Sequence, residues 1–238
     1  MLRILDTGVA AAEENMRLDR EFLENLDFQG LPILHFYRWD APSATYGHFV
    51  APGQYFDLDQ IDRFQLKLAK RPTGGGIVFH IWDLAFSFLM PAGHLAFSSN
   101  TLQNYQFVNE AVLRAVSELF DLKGAASMTL ENFPSMAMDC QNFCMAKPTQ
   151  YDVVYQGMKI AGAAQRKTKQ GYLHQGTISL GVPDFELLRA VLHSKPAVLD
   201  AMAQYTFAPL GNCFASSLLE QTRRHLQDLL TQKIMEKL

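Results

Sequence analysis

The chain has 238 residues, 48% of them hydrophobic and 19% charged, with a formal net charge of −3; this suffices for one large domain with its own core or two modest ones. No long run of one charge sign occurs, which excludes nucleic acid as the main partner, because phosphate binding needs clustered Lys and Arg. The three cysteines, Cys140, Cys144 and Cys213, are odd in number and too few for a disulfide scaffold, and free thiols fit a reducing cytosol. Asp6 and Gly8 stand where a signal peptide would need its apolar stretch. The most apolar segment, Gly76 to Met90, is broken by His80 and Asp83 and is too short to span a bilayer. A cytoplasmic protein with no membrane partner is expected.

The first predicted element is a helix over Ala10 to Leu26, with Met16, Leu18, Phe22 and Leu23 near helical spacing. Leu34 to Trp39 and Ala44 to Phe49 read as strands separated by the turn residues Asp40, Pro42 and Ser43. Ile77 to Phe79 and Ala85 to Met90 read as two more. Ser98, Ser99 and Asn100 offer N-caps to a helix on which Val108, Val112, Ala115 and Leu119 share one face. Tyr151 to Tyr155 and Met158 to Ile160 flank Gln156-Gly157 as a hairpin would, and Thr177 to Leu180 is a further short strand. From Pro183 onward the pattern is helical, ending in Ser216 to Leu238. Strands mixed with a few helices, then helices alone, predict an α+β fold around a largely antiparallel mixed sheet. The organisation expected is a catalytic unit over 1–182 and a helical C-terminal segment over 183–238 of the same domain.

The sharpest local feature is Arg71-Pro72-Thr73-Gly74-Gly75-Gly76-Ile77-Val78-Phe79-His80. Consecutive glycines reach positive φ, admit a ligand to the backbone and expose N–H groups able to hold an anion. Three glycines alone mark no more than a turn between strands. This is not a phosphate-binding P-loop, because no Gly-Lys-Ser/Thr ends it. A second block runs Tyr151-Asp152-Val153-Val154, Gly157-Met158-Lys159-Ile160-Ala161-Gly162-Ala163-Ala164-Gln165-Arg166, then Leu173-His174-Gln175-Gly176-Thr177. A lysine after a turn is usually a solvated charge, but Lys159 lies between apolar Met158 and Ile160.

Together these blocks resemble the biotin/lipoate A/B protein-ligase family, within its lipoate ligase and cysteine-dependent octanoyltransferase branch. Tyr46-Gly47-His48-Phe49 resembles the end of that family's preceding strand pair, and Asp6-Thr7-Gly8 with Asn15-Met16-Arg17-Leu18-Asp19 its first strand and helix. The resemblance runs from about Ile4 to Leu180. It implies an acyl-binding loop at Arg71, Thr73, Gly74, Gly75, Gly76 and His80, and a return loop carrying Gly162, Gln165, His174 and Gly176. It also implies that Lys159 contacts the acyl carbonyl. A fixed ammonium there stabilises charge growing on oxygen, and its removal is expected to leave the fold intact. Cys144-x-x-x-Pro148-x-x-Tyr151-Asp152 resembles the spacing in cysteine-type transferases, where the cysteine carries the acyl group. A thiol suits this because its thiolate is intrinsically nucleophilic, and Lys147 and Lys159 are the cations expected to favour ionisation. Cys140 and Cys213 are read as structural.

The resemblance implies attachment of an octanoyl or lipoyl group to a lysine of a lipoyl-domain protein, a glycine-cleavage H protein or a 2-oxoacid dehydrogenase subunit. ATP-dependent ligases follow the glycine loop with His-Asp and then an Asn-x-Asn stretch. Here the run is His80-Ile81-Trp82-Asp83-Leu84-Ala85-Phe86-Ser87-Phe88, spaced as in the cysteine-type transferases, and no accessory domain is recognised after the catalytic one. The favoured reading is cysteine acyl transfer from octanoyl-acyl carrier protein without a cofactor or resident metal. The alternative is ligation of lipoic acid through an adenylate, with ATP and Mg. Two features favour the ligase: Gly76, where cysteine-type transferases often have Arg, and Asp152, which also fits the ligase pattern. A non-catalytic acyl-binding or lipoyl-domain-binding relative would need neither Cys144 nor Lys159. Biotin ligase is disfavoured because its arginine- and glycine-rich nucleotide loop is absent. The apolar stretch Phe79 to Phe88 is a candidate wall for the acyl chain.

Overall fold

The computed structural model describes residues 1–122, 124–129, 140, 142–193, 196–212 and 214–238. A sheet is built from β1 (Arg3–Ala10), β2 (Ile33–Trp39), β6 (Asp83–Pro91), β10 (Gly171–Ser179), β9 (Met158–Lys167), β8 (Val153–Tyr155) and β7 (Ala126–Met128), in that spatial order. Its pairings are antiparallel except β1 with β2, which run parallel. A second sheet has the order β4 (Lys67–Lys70), β3 (Ser43–Tyr46), β5 (Ile77–His80), with β3 and β4 parallel. The class is α+β as expected. The single sheet anticipated is divided in two, and Ile77–His80 and Asp83–Pro91, neighbours in sequence, belong to different sheets.

The helices are α1 (Ala12–Glu24), α2 (Leu58–Arg63), α3 (Thr101–Leu119), α4 (Phe185–Val191), α5 (Pro196–Tyr205) and α6 (Ser216–Met235). Asn100 caps α3 by accepting from the Leu102 N–H at 2.9 Å, which satisfies one of the donors a helix start leaves free. The apolar stripe of α3, including Val108, Val112, Ala115 and Val116, shares a core with Phe86, Phe88 and Ile178 of the larger sheet. Leu219, Leu226, Leu230 and Ile234 of α6 enter that same core. A separate core gathers Phe56, Ile77, Phe79 and Phe143 with α4 and α5. Residues after 182 therefore contribute to both cores.

The buried face of α1 is unusual. It carries Asn15 and Asp19, both fully buried, beside Met16 and Leu23. A buried carboxylate demands partners, and those of Asp19 lie on the sheet face beneath the helix. No helix among the described residues is long and apolar enough to cross a membrane.

Candidate active site

A narrow cleft lies between the two sheets. Gly162, Ala163, Ala164, Gln175, Gly176 and Thr177 of β9 and β10 form one wall, and Thr45, Arg71, Val78 and His80 the other. Met16 and Tyr37 close one end, while Cys144 and Met145 line it on the β9 side. Tyr37, Ala85, Thr177 and Gly162 pair in one row across β2, β6, β10 and β9. Three inter-strand spacings along that row make about 14 Å.

Cys144 opens a 3-10 turn, Cys144–Ala146. The preceding residues are docked on β5: Ile77 N–H donates to the Asn142 carbonyl at 2.6 Å, and Phe143 stacks on Phe79. Gly76 permits this approach, since a Cβ there would lie 2.3 Å from the Asn142 oxygen. Gly75 has φ +85, and the space where its Cβ would stand is ringed by Arg71 Nη2 at 3.3 Å, Ala164 Cβ at 3.6 Å and Cys144 Sγ at 3.9 Å. Gly47 packs against the same loop, where a Cβ would come within 2.0 Å of the Gly75 carbonyl oxygen.

The cation at the sulfur is Arg71. Its guanidinium donates to the Thr45 carbonyl and hydroxyl at 3.0 and 2.8 Å, to the Gly74 carbonyl at 3.1 Å and to the Gly76 carbonyl at 2.8 Å. Its Nη2 and the Cys144 sulfur border the same space beside Gly75. Burial draws the Arg71 pKa below the usual guanidinium value, and the neighbouring sulfur works against that shift. Arg71 thus holds the loop carbonyls turned inward and places positive charge beside the thiol.

Lys159 is buried rather than solvated. Its ammonium donates to the Cys144 carbonyl at 2.8 Å and pairs with Asp152 Oδ2 at 2.6 Å. Asp152 Oδ2 also accepts from the Thr149 N–H at 2.6 Å and the Thr149 hydroxyl at 2.8 Å. Gly162 makes space for the ammonium, because a Cβ there would lie 2.5 Å from Lys159 Nζ. The expectation that Lys159 has no structural part is corrected: it neutralises a carboxylate that is itself buried.

His80 faces the cleft with both nitrogens engaged, Nε2 with the Thr45 hydroxyl at 2.8 Å and Nδ1 with Asp83 Oδ2 at 2.6 Å. Thr177 donates to the same Asp83 oxygen at 2.7 Å, and Trp39 stacks on the imidazole at 4.2 Å. Burial alone would raise the Asp83 carboxyl, but His80, Thr177 and Arg223 together bring it below its ordinary value. Asp83 went unread because it follows His80 by three residues; the β5–β6 turn brings it back to the imidazole.

The remaining residues expected at the site divide by face. Thr73 is buried beside the cleft and donates to Gln175 Oε1 at 2.7 Å. Gln165 and His174 lie off the cleft, bonded to each other at 2.8 Å and packed against Tyr105 of α3. Burial lowers the His174 pKa to about 3, so it is a neutral core imidazole. Gly176 lines the cleft, but the space of its absent Cβ is filled by the Phe86 ring on the α3 side. The aromatics of Phe79 to Phe88 are core rather than cleft wall; from that stretch His80 lines the space. Cys140 is buried, its thiol directed at the Ala197 carbonyl, and Cys213 lies outside the described residues.

Residues 11–226 match a family model described as the lipoyl protein ligase A/B catalytic domain. The chain is 30% identical over 188 residues to octanoyltransferase LipM of Geobacillus kaustophilus, covering 78% of this chain and 67% of that one. Among solved structures, lipoate-protein ligase A bound with ATP superposes with a TM-score of 0.72 at 23% identity, over 99% of this chain and 84% of the other. A bipartite lipoate protein ligase with its E2 lipoyl domain from Thermoplasma acidophilum gives 0.71 at 22% identity, over 99% and 82%.

Proposed function

Because the chain belongs to the lipoyl protein ligase A/B catalytic-domain family, we propose that it is an acyltransferase carrying an octanoyl group on Cys144 from an acyl-carrier thioester to a lysine of a lipoyl-domain protein. One observation carries this reading: Cys144 lines a mainly apolar cleft, and its sulfur shares with the Arg71 guanidinium the space beside the positive-φ Gly75. The chemistry then follows from the residues. The Cys144 thiolate attacks the donor's thioester carbonyl. Negative charge develops on that oxygen within reach of Lys159, and the donor's sulfur leaves and takes up a proton. The acceptor's neutral amine next attacks the Cys144 thioester, loses a proton and forms the amide, and the Cys144 thiolate is released. Cys144 changes places twice, as nucleophile and as leaving group, which a low-energy thiolate does readily.

Gly76 need not signal a nucleotide. Asn142 of the Cys144-bearing segment occupies the space its side chain would fill, which gives this ligase-like residue a role in the cysteine mechanism. Residues 183–238 belong to the same catalytic unit on this reading, because α6 completes the core beneath β6 and β10 and Arg223 donates to the Asp83 carbonyl at 2.8 Å. The test is intact mass after mixing the protein with octanoyl-acyl carrier protein in the absence of ATP. One hydroxylamine-labile octanoyl adduct is expected, followed by transfer to a lipoyl domain. Transfer from free lipoic acid that demands ATP and Mg, with no adduct, would favour the ligase.

The end wall sets a second expectation. Each methylene buried in an apolar cleft contributes ~0.8 kcal/mol, so longer chains would bind better were they not stopped by Met16 and Tyr37. Met16→Ala is expected to shift preference from octanoyl towards decanoyl donors, gaining roughly tenfold in relative kcat/KM from the two added methylenes. Competition between donors of different length, read by mass of the acyl-enzyme, measures it; an unchanged preference would place the chain elsewhere.

A further inference from the structure

Across three neighbouring strands, His35 of β2, Ser87 of β6 and Gln175 of β10 stand side by side in register on the face beneath α1. All three converge on one carboxylate. Asp19 Oδ1 accepts from His35 Nδ1 at 2.9 Å, and Oδ2 accepts from the Ser87 hydroxyl at 2.5 Å and from Gln175 Nε2 at 2.6 Å. The fourth member of the row is Ala164, which borders Gly75 and lines the cleft with Cys144. Asp19, His35, Ser87 and Thr73 are fully buried.

A carboxylate accepts and cannot donate, so it dictates the direction of every bond it receives. Gln175 must turn its amide NH2 towards Asp19, which leaves its oxygen to accept from Thr73. Thr73 therefore donates at 2.7 Å and ties the glycine loop to the larger sheet. The same residue's carbonyl accepts from the His48 N–H at 3.2 Å, so the loop is held on both sides. Two residues on lies Gly75, against Arg71 and the Cys144 sulfur.

We propose that Asp19, acting through Gln175, is a positioning residue for acyl transfer: it fixes the polarity of the Gln175–Thr73 bond and thereby seats the glycine loop against Cys144. This inference rests on the acyl-transfer reading for its catalytic consequence, although the seating itself does not. Neither Asp19 nor Gln175 donates a group to the reaction. Their identity matters because the relay has one direction, and a relay with a direction can be inverted and restored.

The experiment exchanges acid and amide. In Asp19→Asn the remaining oxygen keeps the His35 bond and the NH2 stands where Oδ2 accepted, so the Gln175 amide turns over and offers its own NH2 to Thr73. In Gln175→Glu two buried carboxylates face one another and must share a proton, which raises the pKa of the pair. The double variant Asp19→Asn/Gln175→Glu restores an amide donor, a carboxylate acceptor and a donating Thr73. Each single variant should form acyl-enzyme about tenfold more slowly at saturating octanoyl-acyl carrier protein, which is the factor 1.4 kcal/mol of lost positioning produces. Gln175→Glu should in addition lose rate as pH rises through the pKa of the shared proton, a limb absent from the wild type. The double variant should recover most of the rate and lose the limb.

Hydrogen exchange over residues 71–76 reads the loop without catalysis, and should rise in the singles and fall back in the double. Single variants with wild-type exchange and rate, or a double no better than the slower single, would overturn the proposal. A wild-type protein that forms no acyl-enzyme would instead count against the acyl-transfer reading, and exchange would still decide the seating. Should a single variant fail to fold, Thr73→Ser against Thr73→Val poses the same question: the hydroxyl-bearing variant should exchange less and acylate at least about tenfold faster, and equality would overturn the relay.

Discussion

Replacing Cys144 by serine is expected to abolish the octanoyl adduct and to reduce single-turnover transfer to a lipoyl domain by on the order of ten-thousand-fold or more, as loss of a nucleophile does elsewhere. A thiol supplies a useful fraction of anion near neutrality, whereas a hydroxyl needs a general base to remove its proton. The imidazole in the cleft is not free for that task, because His80 has Nε2 on Thr45 and Nδ1 on Asp83. Folding should be unaffected. Cys144 is partly exposed, the substitution changes volume little, and the Lys159 bond is made to its main-chain carbonyl rather than its sulfur. Thermal denaturation of the variant should match the wild type, so that lost activity reads as lost chemistry. Full transfer by Cys144→Ser would remove the cysteine mechanism and leave ATP-dependent ligation in its place.

Local signals in the sequence were informative where the chemistry is local. The glycine run, Cys144 and Lys159 could be found because each sits in a short motif, and the structure sets Gly75 beside the Cys144 sulfur and bonds Lys159 to the Cys144 carbonyl. What the sequence hid depends on which way a strand faces. In β10, Gln175 and Thr177 look into the cleft while His174 looks at α3, and a one-residue difference in phase decides this. His174 drew attention as a histidine, yet burial makes it a neutral core residue. Gln175, with no titratable group, holds the loop. Asp19 was visible only as part of a helix, because its partner Gln175 lies 156 positions away. The sheet division was hidden for a related reason. β4 is four residues long with lysine at both ends, a pattern that reads as surface and suits a guarded sheet edge. Without β4, nothing marks β3 and β5 as a separate sheet.

Lys159→Met is the substitution with the largest combined effect, because it strikes catalysis and folding together, and the two can be separated. An ammonium has three donors. One goes to Asp152 and one to the Cys144 carbonyl, which leaves a third for an acyl oxygen on the adjacent sulfur. Charge grows on that oxygen only as the tetrahedral intermediate forms, so loss of the donor should lower turnover more than substrate binding, by about 100- to 1,000-fold. Methionine also leaves Asp152 buried with Thr149 but without its cation, and breaking such a pair commonly costs about 3–5 kcal/mol. The single variant should therefore melt well below the wild type. Adding Asp152→Asn removes the stranded charge while its side-chain oxygen still accepts from Thr149, so the double variant should regain most of the stability and none of the activity. Lys159→Arg should not rescue the rate, since a planar guanidinium cannot take the place of a compact ammonium in a space that Gly162 only just opens. Denaturant melts and single-turnover transfer on the same preparations measure both effects. A double variant that is stable and transfers octanoyl at the wild-type rate would show that Lys159 is a structural counter-ion alone, and the acyl oxygen would then have to find its donors among the backbone N–H groups of the glycine loop.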